Sequence, residues 1–279
     1  MNRKNLVRLI TFLIAAMIFY VFNNYQKYQQ RGEITPSELA QIEHNLDVPI
    51  AKAPRAKPSK NTQAALAINY DSKMRDDKIG QNKTAPVDYY MLALSWSPAF
   101  CATQKARYLT DLPDHIDYQC DDQNLGWVIH GLWPQNKKAH SISDHPRYCQ
   151  GDLPPIDPAI LEQYLPEAPG ASLLQGEWEK HGACAFQDPT SYFQKQKELF
   201  YSLKLPAKNL RKNDLFQWMR KHNPQLKGVY LGASVTELYI CYDKKWQPIN
   251  CPKKGERTAI QALNYVNLKC KYNAQLPVI

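Results

Sequence analysis

Seven cysteines (101, 120, 149, 184, 241, 251 and 270) follow a 14-residue apolar run, and that combination limits the fold more than any other feature. Met1 to Arg8 carries Arg3, Lys4 and Arg8, and Leu9 to Phe22 is almost wholly apolar. Basic residues stay on the cytoplasmic side, so everything downstream is expected to be exported. The run has signal-peptide length and is short for a bilayer span, although Leu6, Val7 and a snorkelling Arg8 lengthen it. No small-x-small cleavage pair follows, so an uncleaved signal anchor over 6–22 stands beside a removed signal peptide over 1–22. Export makes the cysteines a disulfide set. None lies in a Cys-x-x-Cys pair, which argues against zinc, and an odd number leaves one unpaired or joined to another molecule.

Residues 23–84 read as a flexible periplasmic linker. Pro49, Pro54 and Pro58 alternate with Lys, Arg and Ala, and no apolar periodicity persists beyond a short helical stretch around Pro36 to Leu46. The globular part is expected over 85–279. Asp88 to Trp96 and Gly126 to Leu132 have the apolar and aromatic character of strands. Helices are expected from Asp157-Pro158 to about Tyr164, within Ala171 to Cys184, from Asp188-Pro189 to about Leu203, and from an Asn213-Asp214 cap to about His222. Val235 to Tyr242, and Tyr265 to Leu268, return to strand. Strands, then helices, then strands imply an α+β fold, a central antiparallel sheet with helices grouped against it.

The formal charge of +9 is unevenly spread. Residues 189–279 hold 16 Lys/Arg against 5 Asp/Glu, whereas 85–188 is net acidic. A basic half suits a polyanion, and solvated helix faces account for it equally well.

Chemistry concentrates in two stretches. Glu177-Trp178-Glu179-Lys180-His181-Gly182-Ala183-Cys184, read as helix, puts Glu177, Lys180 and His181 on one face. Trp127-Val128-Ile129-His130-Gly131-Leu132-Trp133-Pro134 ends a strand with a histidine, a glycine and an aromatic braced by proline. Alone, the first is a solvated Glu–Lys pair with an incidental histidine, and the second a structural histidine beside a core tryptophan. Together they resemble the two active-site segments of the RNase T2 family of secreted acid endoribonucleases. Leu92 to Cys101 is similar to that family's first core strand and Leu238 to Asp243 to its late strand, so the resemblance covers roughly Pro86 to Lys271. Gln135 after Pro134 matches the bacterial, periplasmic branch.

The resemblance implies cleavage of single-stranded RNA with the substrate's 2′-OH as nucleophile, giving a 2′,3′-cyclic phosphate and then a 3′-phosphate. It implies little base specificity, no metal, no cofactor and no action on DNA. One group must take the 2′-OH proton, another must protonate the departing 5′-oxygen, and a cation must meet the charge developing on phosphorus. His130, His181 and Lys180 supply that kit. Which histidine does which is open from the residues; similarity to the family makes His181 the base and His130 the acid. Glu177 would tune an imidazole, and Trp133 would pack beside it or stack on a base. Many relatives carry a third histidine where this chain has Gly176. By position, the resemblance pairs Cys149 with Cys184, and Cys101–Cys120 and Cys241–Cys251 follow, leaving Cys270. A monomer acting on RNA is expected, periplasmic or secreted, and held at the inner membrane if the N-terminal run is uncleaved.

Two rivals belong to other classes. A catalytically silent RNA-binding relative would lack a histidine, and both are present. A metal-dependent phosphodiesterase would need a ligand cluster; His140, His145 and Cys149 form the nearest approach, in a polar loop. His44, His115 and His222 read as surface residues, and Tyr148, Phe186 and Leu173 as core.

Overall fold

The structure, a computed structural model, describes residues 49–52, 65–66, 74–108, 112–122 and 125–252. The 1–22 run, most of the 23–84 segment with its 36–46 helix and His44, the 265–268 strand and Cys270 lie outside the described residues.

The α+β expectation holds. An antiparallel sheet runs in the order β2-β1-β4-β3, with β5 also pairing β4. Its members are β1 (Tyr89–Trp96), β2 (Trp127–Gln135), β3 (Gly232–Ala233), β4 (Glu237–Tyr242) and β5 (Pro248–Ile249). The helices are α1 (Ser97–Tyr108), the short α2 (Asp114–Asp117), α3 (Pro158–Glu162), α4 (Ala171–Lys180), α5 (Pro189–Tyr201) and α6 (Lys212–His222). β1 is central and covered on both faces, which is why its sequence is nearly continuous apolar residue rather than an alternation. The strand ends at Trp96 and α1 starts at Ser97, so the Leu92 to Cys101 stretch is strand only in its first half. Pro98 in the first helical turn explains the switch, since its fixed φ suits that position and its missing N–H costs nothing there.

β2 lies at the sheet edge and needs partners for its outer backbone groups. Tyr192 Oη, from α5, accepts from Leu132 N at 3.2 Å and donates to Leu132 O at 3.1 Å. Ile129 N donates to Glu167 O at 2.7 Å. The edge also tolerates Pro134, which has no N–H to offer a ladder. The β1–β2 register breaks once: Leu94 pairs with Ile129 and Ala93 with Gly131, so His130 is an extra residue, a β-bulge.

α5 is capped by Asp188, whose carboxylate accepts from Ser191 N at 2.8 Å, with Pro189 as the first helical residue. For α6 the cap is Arg211 rather than Asn213-Asp214. Asp214 sits inside the first turn and takes Arg211 Nε at 2.9 Å, a position where a carboxylate meets the positive end of the helix dipole. Among the described residues three disulfides, Cys101–Cys120, Cys149–Cys184 and Cys241–Cys251, staple the body.

Residues 74–84 were expected in the mobile linker and instead lie along the 143–152 segment. Met74 N bonds Asp152 Oδ1 at 2.7 Å, Gln81 Nε2 bonds Tyr148 O at 2.7 Å, and Asn82 forms an antiparallel bridge with Arg147. Side-chain anchors at Asp77, Gln81 and Asn82, not apolar periodicity, hold this strap, so a search for hydrophobic pattern passes over it.

Gly182 follows α4 in a 3₁₀ turn where a Cβ would fall 2.6 Å from the Trp178 ring and 2.7 Å from the Tyr192 ring. Both rings are buried and fixed, so Gly182→Ala should destabilise by about 1–3 kcal/mol, read as a lowered midpoint in denaturant with an unchanged slope.

Candidate active site

The bulge decides where His130 points. In an unbroken strand, residues three apart face opposite sides; one extra residue brings His130 and Trp133 to the same side, ring centroids 5.3 Å apart. Met91 and Ala93 of β1 and Tyr239 and Cys241 of β4 pack as a buried cluster on that side, with Trp133 against them.

Glu177, late in α4, reaches over β2. Trp133 Nε1 donates to Glu177 Oε2 at 2.7 Å, and His130 Nε2 lies 3.5 Å from Glu177 Oε1. Gly131 makes the approach possible: a Cβ there would fall 1.9 Å from Glu177 Oε2 and 2.7 Å from Trp133 Nε1. The other ring nitrogen meets a carboxylate that sequence reasoning missed. His130 Nδ1 stands 2.5 Å from Glu237 Oε1, on β4. Glu237 is fixed in turn by Ser95 Oγ at 3.1 Å and Tyr239 Oη at 2.5 Å, both donating. The His130 side chain is 34% exposed against 10% for Glu177 and 11% for Glu237, so a substrate can reach the imidazole while both carboxylates stay covered.

α4 ends at Lys180, one residue before His181. His181 is its C-cap, with φ −128° and ψ −53°, and its ring lies 5.6 Å from that of Trp133. Trp133 therefore stands between the two histidines. Glu177 and Lys180 share the last turn of α4 and both act on His181 through their charges, but their ion-pair and hydrogen-bond partners differ. Lys180 Nζ pairs with Asp77 Oδ2 at 3.0 Å, while Glu177 serves His130 and Trp133. Gly176 is buried in α4. Of the loop trio His140, His145 and Cys149, Cys149 is in a disulfide and His145 Nδ1 accepts Asn136 N at 3.1 Å.

The two imidazoles sit in opposite electrostatic settings. Burial acts to lower the pKa of His130, but hydrogen bonds to Glu177 and Glu237, and then their charges, outweigh it and raise the value to about 10. At His181 burial dominates; Glu177 opposes it, Arg147, Lys180 and His130 reinforce it, and the value falls to about 3. Burial opposes ionisation of Glu177 and Glu237 too, yet the imidazoles at Glu177 and His130 at Glu237 keep both below the ordinary carboxylate range. The surroundings thus favour the charged form of His130 and the neutral form of His181.

Two imidazoles with oppositely shifted pKa values lie near a lysine, on an α+β body held by three disulfides among the described residues. Residues 87–277 match the Ribonuclease T2 family, and the chain belongs to that family. It is thus an RNase T2-type endoribonuclease with RNA as substrate. A probable ribonuclease of Haemophilus influenzae is 59% identical over 187 residues, 67% of this chain and 69% of that one. Ribonuclease I of Escherichia coli is 30% identical over 135 residues, 38% of this chain and 50% of its own, in keeping with the bacterial branch. Among solved structures, an RNase-related protein from Calystegia sepium is 21% identical and covers 60% of this chain and 91% of its own, with a TM-score of 0.45.

Glu237→Gln keeps the shape and an oxygen for Ser95 and His130, turns the Tyr239 contact into one that the amide donates, and removes a charge from His130. The His130 pKa should fall from about 10 toward 6.5, followed by NMR titration of its ring protons; an unmoved titration would separate Glu237 from the imidazole.

Proposed function

We propose that this chain cleaves single-stranded RNA by metal-independent transphosphorylation, with His181 as general base and His130 as general acid. The opposite charge states of the two imidazoles carry the reading. His181, neutral, takes the 2′-OH proton; the 2′-oxygen attacks phosphorus, and His130, protonated, delivers its proton to the departing 5′-oxygen. The product is a 2′,3′-cyclic phosphate. In a slower second step the roles reverse: His130, now deprotonated, draws a proton from water, and His181 protonates the 2′-oxygen to leave a 3′-phosphate. With His130 raised and His181 lowered, the forward assignment is the populated one at pH 7 and the swapped roles fall to the minor protonation state.

Glu177 and Glu237 hold His130 charged and oriented, and Lys180 stabilises charge developing on the phosphoryl oxygens. Trp133 fixes Glu177 through its indole N–H, and its half-buried ring is where we place a stacked base. Since these residues face the phosphate and sugar, little base specificity is expected.

The catalytic domain is assigned to 85–279 with the 74–84 strap attached, and the compartment to the periplasm or outside the cell. Three disulfides among the described residues support export, because such bonds persist in oxidising surroundings. The 6–22 run then acts as signal anchor or signal peptide.

The test uses the whole oxidised chain on RNA and on matched DNA in EDTA, beside His130→Ala and His181→Ala. RNA alone should be cut to cyclic-phosphate ends, and each variant should lose about 10²–10⁴ in kcat/KM. The pH profile follows from the signs of the two shifts. The acid limb, where His181 becomes protonated, should lie well below 6.5, and the basic limb, where His130 loses its proton, well above it. A basic limb at or below 6.5 would overturn the assignment.

A further inference from the structure

Asp77 lies outside the stretch that matches the family, ten residues before its start, yet its carboxylate reaches Lys180. Oδ2 accepts Lys180 Nζ at 3.0 Å and Arg147 Nη2 at 2.7 Å, so one oxygen joins the two cations. Oδ1 accepts Ile79 N at 2.9 Å and Gly80 N at 3.2 Å, which fixes the carboxylate within its own turn. Burial would raise this carboxyl, but the bonds from Lys180 and Ile79 and the charges of Arg147 and Lys180 hold it at about 2, a permanent anion at working pH. The strap around it is tied by Met74, Gln81 and Asn82 to the 143–152 segment. That segment is itself tied to the end of α4 by the Cys149–Cys184 bridge and by Tyr148 N donating to Lys180 O at 3.1 Å.

We infer that Asp77 is a positioning residue of the ribonuclease site, supplied by the N-terminal strap to hold the Lys180 ammonium where it meets the scissile phosphate. The inference rests on the reading of Lys180 as the cation that stabilises the transition state. A lysine side chain has four rotatable carbons and loses much of its rotamer freedom when fixed. A carboxylate at one of its three N–H groups settles that freedom before RNA arrives and leaves two donors for phosphate. The side chain is 25% exposed, enough to be reached. Arg147, at 6%, is buried and serves as the other anchor of the carboxylate.

Asp77→Asn retains an oxygen for the Ile79 and Gly80 amides and removes the charge. It is measured in the full chain beside Lys180→Ala and the double variant, with kcat and KM on RNA and a thermal midpoint for each. Asp77→Asn should lower kcat on the order of 10-fold with KM changed less than about twofold, and should add nothing in the Lys180→Ala background. Should the Asn variant not fold, Asp77→Ser, which spares Lys180 and Arg147 an amide N–H, is read the same way. If Lys180→Ala is impaired but the folded Asp77 variant matches the parent, or loses only thermal midpoint, the inference is overturned and the strap is structural. A faster Asp77 variant overturns it too, making the carboxylate a competitor of phosphate. If Lys180→Ala has parental kcat, the role of Lys180 itself fails, and with it any role exerted through it.

Discussion

One surplus residue in an edge strand sets the geometry of this site. Without the bulge at His130, β2 would keep its two-residue alternation, and the imidazole would face away from Trp133, Glu177 and Glu237. The bulge turns the ring toward all three while the rest of β2 continues to pair with β1 through Gln135. Gly131, the next residue, keeps the space above the strand open for the Glu177 carboxylate. The dipeptide His130-Gly131 is thus one device: an extra residue that aims, then a missing side chain that admits.

The same local geometry divides the two histidines electrically. His130 has a carboxylate at each ring nitrogen; His181 is covered, its Nδ1 buried without a hydrogen-bond partner among the described residues, with cations nearby. An imidazole between two anions keeps its proton, and one buried near Arg147 and Lys180 sheds it. Trp133, between them, contributes an indole that can donate to Glu177 but cannot itself carry charge.

Much of this was legible in the chain because it is local. β1 and β2 announce themselves as aromatic and apolar runs, α5 by its Asp-Pro cap, and both histidines by their neighbours in the motifs. Helix continuity through His181 was misjudged because spacing alone does not mark where a helix ends; Gly182, wedged against Trp178 and Tyr192, lets the chain leave α4 in a tight turn. Glu237 and Asp77 escaped for another reason. Glu237 lies 107 residues from His130 and meets it across the sheet through the β1–β4 register, where Ser95 pairs with Glu237. A charged residue opening the otherwise apolar stretch Leu238 to Tyr242 was the available signal. Asp77 had none stronger than the adjacent acids Asp76-Asp77 between Arg75 and Lys78.

The paired hydrogen bonds between Tyr192 and Leu132 have a further consequence. A bare strand edge offers unpaired donors and acceptors to any passing strand, and β2, though largely buried, ends the sheet order with such groups on its outer side. A single phenol, donating to the carbonyl and accepting from the amide of the same residue, imitates one rung of a neighbouring strand and ends the ladder there. Glu167 O occupies Ile129 N in the same way. Along those rungs β2 is therefore closed to β-sheet extension, while His130 stays partly exposed on the same strand.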